Sequence, residues 1–180
     1  MVEPLRPKRG GFLRAIGLGL FIRDYLLGRG PQESPSINPA VGSYQSDIFH
    51  QYKMALIRAT AVDRAVRIEE KQAKKQKRAI DPSRIQELTD KLIARMPYKA
   101  QGCRLHSFVV YFSMLQKLGW VEVTGREEHS SFQDNYPKGQ PRKYFRITNK
   151  GRRAKISEWA NPHAALYGRR KEEIPRRSSK

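Results

Sequence analysis

Between Arg142 and Lys155 the chain places seven cations and no carboxylate: Arg142, Lys143, Arg146, Lys150, Arg152, Arg153 and Lys155. Cationic side chains gathered in this way without counter-charge suit the neutralisation of phosphates, whose binding releases condensed counterions. A solvated basic face is the plainer alternative. A second run, Lys71-Gln-Ala-Lys-Lys-Gln-Lys-Arg78, holds five cations and again no acid. A third group, Lys99, Arg104 and His106, falls at or just before the start of a predicted helix, where outward-pointing first-turn N–H groups favour phosphate.

Chemistry of other kinds finds little to work with. Cys103-Arg-Leu-His106 has the spacing of half a metal site, but His50, His129 and His163 are isolated and complete no tetrad. The cations near Cys103 lower a thiol pKa in principle, yet no base or oxyanion site accompanies it. A redox-sensing cysteine and a structural one both remain open. No phosphate-cradling glycine loop, paired zinc-binding histidines or nucleophile elbow occurs. The carboxylates sit beside basic residues on polar helix faces. No enzyme activity, metal or cofactor is expected.

Composition points the same way. A formal charge of +19 over 180 residues, with a pI near 10.4, repels itself in a compact state unless a polyanion is bound. Nucleic acid is the leading partner, with an anionic membrane surface second. The mean hydropathy of -0.72 implies that part of the chain is solvated or waits for a partner. A single cysteine rules out an intramolecular disulfide and fits a reducing compartment, so a cytoplasmic location on nucleoid or ribosome is expected. No apolar run is long enough to span a bilayer. The basic start followed by Ala15–Ile22 resembles a signal peptide superficially, but Arg23-Asp24 interrupts it and no small-residue cleavage pattern follows.

The elements that must position these groups can be read from periodicity and breakers. Residues 1–45 form a basic arm, then an apolar helix over Gly11–Gly28, then a linker over 29–45 with three prolines. That helix is apolar nearly all round and must be buried in its own domain, against a second subunit or in a membrane interface. Ser46 caps a long helix running to about Ala79. Its stripe Ile48, Tyr52, Ala55, Ala59, Val62, Val66 follows a heptad-like rhythm. Residues 12–28 and 48–66 are therefore the expected contacts with a second copy or a partner protein, and the basic end of the long helix is either solvated or follows phosphates. Asp81-Pro82 starts the next helix, with Ile85, Leu88, Leu92, Ile93 and Met96 as its core stripe and Pro97 as its end. Residues 98–103 form a turn, and a third helix covers Leu105–Leu118.

The third helix runs into Leu115-Gln-Lys-Leu-Gly-Trp-Val-Glu-Val123, which ends it at Gly119 and continues as a strand over Trp120–Thr124. A long loop of mixed charge, 125–141, leads to Arg142-Lys-Tyr-Phe-Arg-Ile-Thr-Asn-Lys-Gly-Arg-Arg153. There Tyr144–Thr148 forms a second strand, and Thr148 caps a further helix. The pair of segments resembles the wing of winged helix-turn-helix transcription regulators of the PadR/MarR type, which read LxxLGxV and then RxYxLTxxGRR. The resemblance covers about residues 81–160. It implies a mainly α fold with a small β-ribbon: a winged helix-turn-helix domain over 81–166, preceded by a long helix over 46–80 and a basic N-terminal extension, and followed by a disordered basic tail over 167–180.

Within that frame Leu105–Leu118 takes the place of a recognition helix. Phe108, Phe112, Leu115 and Leu118 face inward, leaving Ser107, Val110, Ser113, Met114 and Lys117 outward beside Arg104 and His106. Arg, Lys, Asn or Gln usually reach base edges in the major groove, and this face has few. Ser107 and Ser113 can bond bases or phosphates, and Lys117 phosphates. Three readings follow: a duplex-DNA-binding regulator or architectural factor that grips phosphate through Arg142, Lys143, Arg146, Lys150, Arg152 and Arg153; a basic component of a ribonucleoprotein such as the ribosome; or a protein-interaction module.

Overall fold

The structure is a computed structural model that describes residues 16–30, 37–96, 104–128 and 141–168. The chain is mainly helical with a small three-stranded antiparallel sheet. Its elements run α1 (Leu18–Leu26), β1 (Ser43–Tyr44), α2 (Gln45–Gln76), α3 (Pro82–Arg95), α4 (Leu105–Lys117), β2 (Val121–Glu128), β3 (Arg142–Ile147), α5 (Asn149–Arg153), α6 (Ile156–Ala160) and α7 (Pro162–Tyr167). The expected basic arm, the 98–103 turn, the tip of the 125–141 loop and nearly all of the tail lie outside the described residues. Among those described, no helix is long and apolar enough to cross a membrane.

Three local signals determine element ends as expected. Asp81 accepts a hydrogen bond from Ser83 N at 2.9 Å and caps α3, with Pro82 in the first turn. Gly119 takes φ +70° and stops α4. Thr148 accepts from Gly151 N at 3.0 Å and caps α5. Ser46, by contrast, caps nothing: α2 begins at Gln45 directly from strand β1, with Tyr44 at the cap position. The end of the supposed linker is thus a strand. Ser43 and Tyr44 pair with Phe145 and Tyr144, so the sheet order is β1-β3-β2. At Gly42, with φ +79°, a Cβ would sit 2.0 Å from Phe145 O, so only glycine lets the chain enter the sheet here.

One core gathers Leu18, Phe21, Ile22, Tyr25 and Leu26 of α1, Ile48, Tyr52, Ala55 and Leu56 of α2, Phe108, Phe112 and Leu115 of α4, Trp120, Val121, Phe145 and Ile147 of the sheet region, and Trp159 of α6. Among the described residues the apolar helix expected over Gly11–Gly28 spans Leu18–Leu26, and it buries in its own domain. The faces expected to join a second chain are largely occupied in this way: the apolar side of α1 and the Ile48, Tyr52, Ala55 part of the heptad stripe are buried internally, whereas Val62 is exposed. Dimerisation through the buried residues would require this core to open. At Gly19, α1 passes so close to α6 that a Cβ would lie 2.0 Å from Trp159 O.

Helix α3, expected to open the winged domain, does not join this core. It packs along the distal part of α2 as an antiparallel hairpin. The contact row on α2 is Ile57, Ala61, Ala65, Glu69 and Ala73, all buried and each four residues from the last. Such an i±4 row winds slowly around a helix, and the alanines let the two backbones approach closely. The predicted stripe at alternating fours and threes follows the row facing the core only as far as Ala55. The α3 residues Ile85, Leu88, Leu92 and Ile93 are half-buried, and only Thr89 of this helix is fully covered.

The hairpin turn is built around Glu69. Its carboxylate is fully buried, is paired through both oxygens with the Arg78 guanidinium, and accepts from Asp81 N at 3.0 Å. Lys77 adopts the left-handed conformation at φ 51°, and Arg78 N returns to Ala73 O at 3.1 Å, closing a Schellman-type end. The Arg78 ion pair is the main reason the Glu69 carboxyl is held down at about 2, with the Asp81 N–H adding to it.

Candidate nucleic-acid interface

Helix α4 presents two chemically different ends. Its first turn exposes Arg104, His106 and Ser107. Along the same outer surface Leu105 (56%), Val109 (41%) and Val110 (49%) are exposed, Ser113 and Met114 are half-buried, and Lys117 is exposed in the last turn. Phe108, Phe112 and Leu115 point into the core as expected, while Leu118 is half-buried.

The far end of α4 meets the start of α5 at one junction. The Thr148 hydroxyl donates to Gly119 O at 2.6 Å while accepting from Gly151 N, and Thr148 N donates to Trp120 O at 2.9 Å. At Gly151 a Cβ would lie 2.4 Å from Trp120 O, so only glycine permits this approach. Trp159 seals the junction from behind: its Nε1 donates to Gly151 O at 3.0 Å and its ring centroid lies 4.9 Å from that of Trp120. The junction fixes α5, with its exposed Lys150, Arg152 and Arg153, to the C-terminal end of α4, which carries exposed Lys117; the Lys150 side chain passes over Gly119. None of these four, nor exposed Lys143 and Lys155, has an ion-pair partner among the described residues. Arg104, His106 and Ser107 lie at the opposite end of α4, about 20 Å away by helical rise.

The wing strands are less cationic than their composition implies. On β3, Phe145 and Ile147 face the core, so Arg142, Tyr144 and Arg146 share the outer face. There Arg146 Nε donates to Glu122 Oε1 at 2.8 Å across the strand pair. The Arg142 guanidinium lies 5.4 Å from the Tyr44 ring centroid, half-buried. Arg126 lies 4.7 Å from the Tyr144 ring and donates to Glu128 at 2.8 Å. Of the expected phosphate contacts, Arg142 and Arg146 are therefore engaged within the chain, and Lys99 lies outside the described residues.

Sequence reasoning missed the centre of that outer face. Tyr44 and Tyr144, register partners with ring centroids 4.2 Å apart, both donate their hydroxyl protons to the two oxygens of Glu128; for Tyr144 the distance is 2.6 Å. The Tyr144 bond leads, with Tyr44 and Arg126 adding to it, in holding the Glu128 carboxyl down at about 2. Burial, reinforced by the anionic Glu128, pushes the Tyr44 phenol up. Glu128 looks from its type like a repeller of phosphate, but here it is a fixed anion countered by a stacked arginine. The signal was too short to read: β1 is two residues long and its partner is 100 positions away.

Between Val123 and Glu127 the β2–β3 register shifts, with Gly125 at φ +81°. The two extra residues on β2 leave the alternation of faces unchanged but bring Glu128, instead of Arg126, opposite Arg142. Among the described residues no group of three or more His, Cys, Asp or Glu is placed to hold a metal. No protein-family model matches the chain, and neither a curated protein nor a solved structure matches it.

Proposed function

We propose that the protein is a winged-helix module that binds duplex DNA mainly through the phosphate backbone. The observation that carries the reading is that exposed Lys117 ends α4 and exposed Lys150, Arg152 and Arg153 lie on α5, which the Thr148–Gly119 junction joins to that end. The order α1, β1, α2, then α4, β2, β3, with β3 central in the sheet, supports it, because a winged helix places its strands and recognition helix in this order. On this reading the winged unit starts at α1, the first part of α2 is its second helix and α4 its third. The distal α2–α3 hairpin is then an insertion between them.

The exposed Leu105, Val109 and Val110 on α4 favour a binder that grips backbone rather than reads bases, since these side chains offer no hydrogen bonds to base edges. The same observation supports a second reading as a component of a ribonucleoprotein, where structured RNA replaces the duplex. Titrating fluorescent duplex DNA and structured RNA across a salt series tests both. For DNA the expected slope of log K against log salt is about −0.9 per phosphate contacted, and changing Lys150, Arg152 and Arg153 to Gln should flatten it by roughly 2.7. Absence of binding to either polymer at about 50 mM salt, where such contacts are strong, would end the proposal. Preference for RNA over duplex would move it to the second reading.

A further inference from the structure

The α2–α3 hairpin extends away from the core and ends in Lys71, Gln72, Lys74, Lys75, Gln76 and Lys77, all exposed. Among the described residues none of the four lysines has an ion-pair partner. The acids nearby are disposed so as not to cancel them. Glu69 is fully buried and matched by Arg78, Asp81 is occupied as the cap of α3, and Glu70 is the exposed carboxylate that remains in this stretch. The left-handed turn at Lys77, pinned by the Glu69–Arg78 pair, makes the tip a defined structure rather than a frayed helix end.

We infer that this tip is a second phosphate-binding site that engages the same DNA duplex as the winged unit, with α2 setting the distance between them. This deepens the DNA reading above and rests on it. Helix α2 is continuous from Tyr44, which is locked to Tyr144 at the wing base, to Gln76 at the tip. At 1.5 Å per residue, Lys71–Lys77 stand about 40–50 Å from the wing base. At 3.4 Å per step along one strand, a duplex touching both runs along α2 for roughly 12–15 base pairs. Shorter duplexes reach one site only. With a solvated hairpin, any gain in affinity with duplex length would not depend on Lys71, Lys74, Lys75 and Lys77.

The test uses the full chain and a variant carrying Lys71→Gln, Lys74→Gln, Lys75→Gln and Lys77→Asn, the last chosen because asparagine tolerates the left-handed backbone. A matching thermal melt and helical circular dichroism confirm that the variant keeps its fold; if they do not match, the three changes without Lys77→Asn are used instead. Affinities are measured at low salt for duplexes of 8 and 20 base pairs. The expected result is equal affinity of both proteins for the short duplex and, on the long one, a loss of about tenfold or more with a salt slope flatter by up to about 3.6, the sum over four contacts. Equal affinity of variant and wild type for the long duplex overturns the second site while leaving the winged reading intact. An equal loss on both lengths overturns the spacing. Failure of the wild type to bind either duplex overturns both proposals.

Discussion

The Thr148 hydroxyl donates to the Gly119 carbonyl at 2.6 Å, joining the residue that ends α4 to the residue that begins α5. Gly119 and Thr148 are each a local punctuation mark, one a left-handed stop and the other a helix cap. Together they form the joint that delivers Lys150, Arg152 and Arg153 to the end of α4.

Replacing Thr148 with Val removes the cap and this joint while nearly preserving shape. Stability should fall by about 1–2 kcal/mol, the usual range for a lost cap, read as a lower urea midpoint. DNA affinity should fall as well, because the α5 cations lose their fixed position. Unchanged stability would mean that the joint is not formed in solution.

Two glycines are predicted to be irreplaceable for reasons of space. A Cβ at Gly19 would meet Trp159 O at 2.0 Å and the Tyr111 hydroxyl at 2.5 Å, and one at Gly151 would meet Trp120 O at 2.4 Å. In each case a backbone carbonyl is the obstacle. Ala at either site should cost about 1–3 kcal/mol, as overpacking does, measured by denaturant unfolding. A neutral Gly151→Ala would refute the close approach of α5 to Trp120.

Arg146 and Arg152 should differ although their composition is the same. Arg146 is paired with Glu122, so Arg146→Gln should weaken DNA binding less than Arg152→Gln. Conversely Glu122→Gln releases Arg146 and should tighten binding by a few-fold at most, since an exposed pair contributes about 0.2–1 kcal/mol. Anisotropy titrations of the three variants decide this, and an unaltered or weaker complex for Glu122→Gln would count against phosphate near the wing.

Acid should loosen the hairpin and the wing base. Glu69 and Glu128 are both held at about 2, below their ordinary 4.5, by groups that bind the carboxylate. A depressed folded value means that their stabilisation is complete above pH 4.5 and is lost as pH falls towards 2. Glu69 should dominate, because its carboxylate is buried whereas the Glu128 side chain is 41% exposed and screened by water. Melting temperatures between pH 7 and 2 should fall more steeply for wild type than for Glu69→Gln. Parallel curves would exclude Glu69 as the acid-sensitive group.

The legible parts of the fold were those encoded within a few residues. Asp81-Pro82, Gly119 and Thr148 act on their own turn, and the Phe108, Phe112, Leu115 spacing identifies a buried face by period alone. Helix α3 was legible as a helix but not as to its place, because amphipathicity says that a face is covered without saying by what. Its partner row on α2 is mostly alanine, which carries little apolar signal yet permits close contact. The cationic cluster was visible as composition, but its division into engaged Arg142 and Arg146 and exposed Lys150, Arg152 and Arg153 depends on cross-strand neighbours. Strand β1 could not be read, since two residues have no period.

The contact of Gly19 with Trp159 also sets the order in which the molecule can be made. These residues are 140 positions apart in the sequence, and the β1–β3 pairing of Tyr44 with Tyr144 spans 100. Closing such loops has an entropic cost that contacts between neighbouring elements do not. On a ribosome the α2–α3 hairpin can therefore assemble while the chain is still growing, and α1 can meet α2 through Phe21 and Tyr52, but the side of α1 that faces α6 stays uncovered until residue 159 emerges. During that interval a strongly apolar segment is available to chaperones or to other nascent chains. Shortening the chain just before Trp159 should yield an intact hairpin attached to a sticky, unclosed remainder.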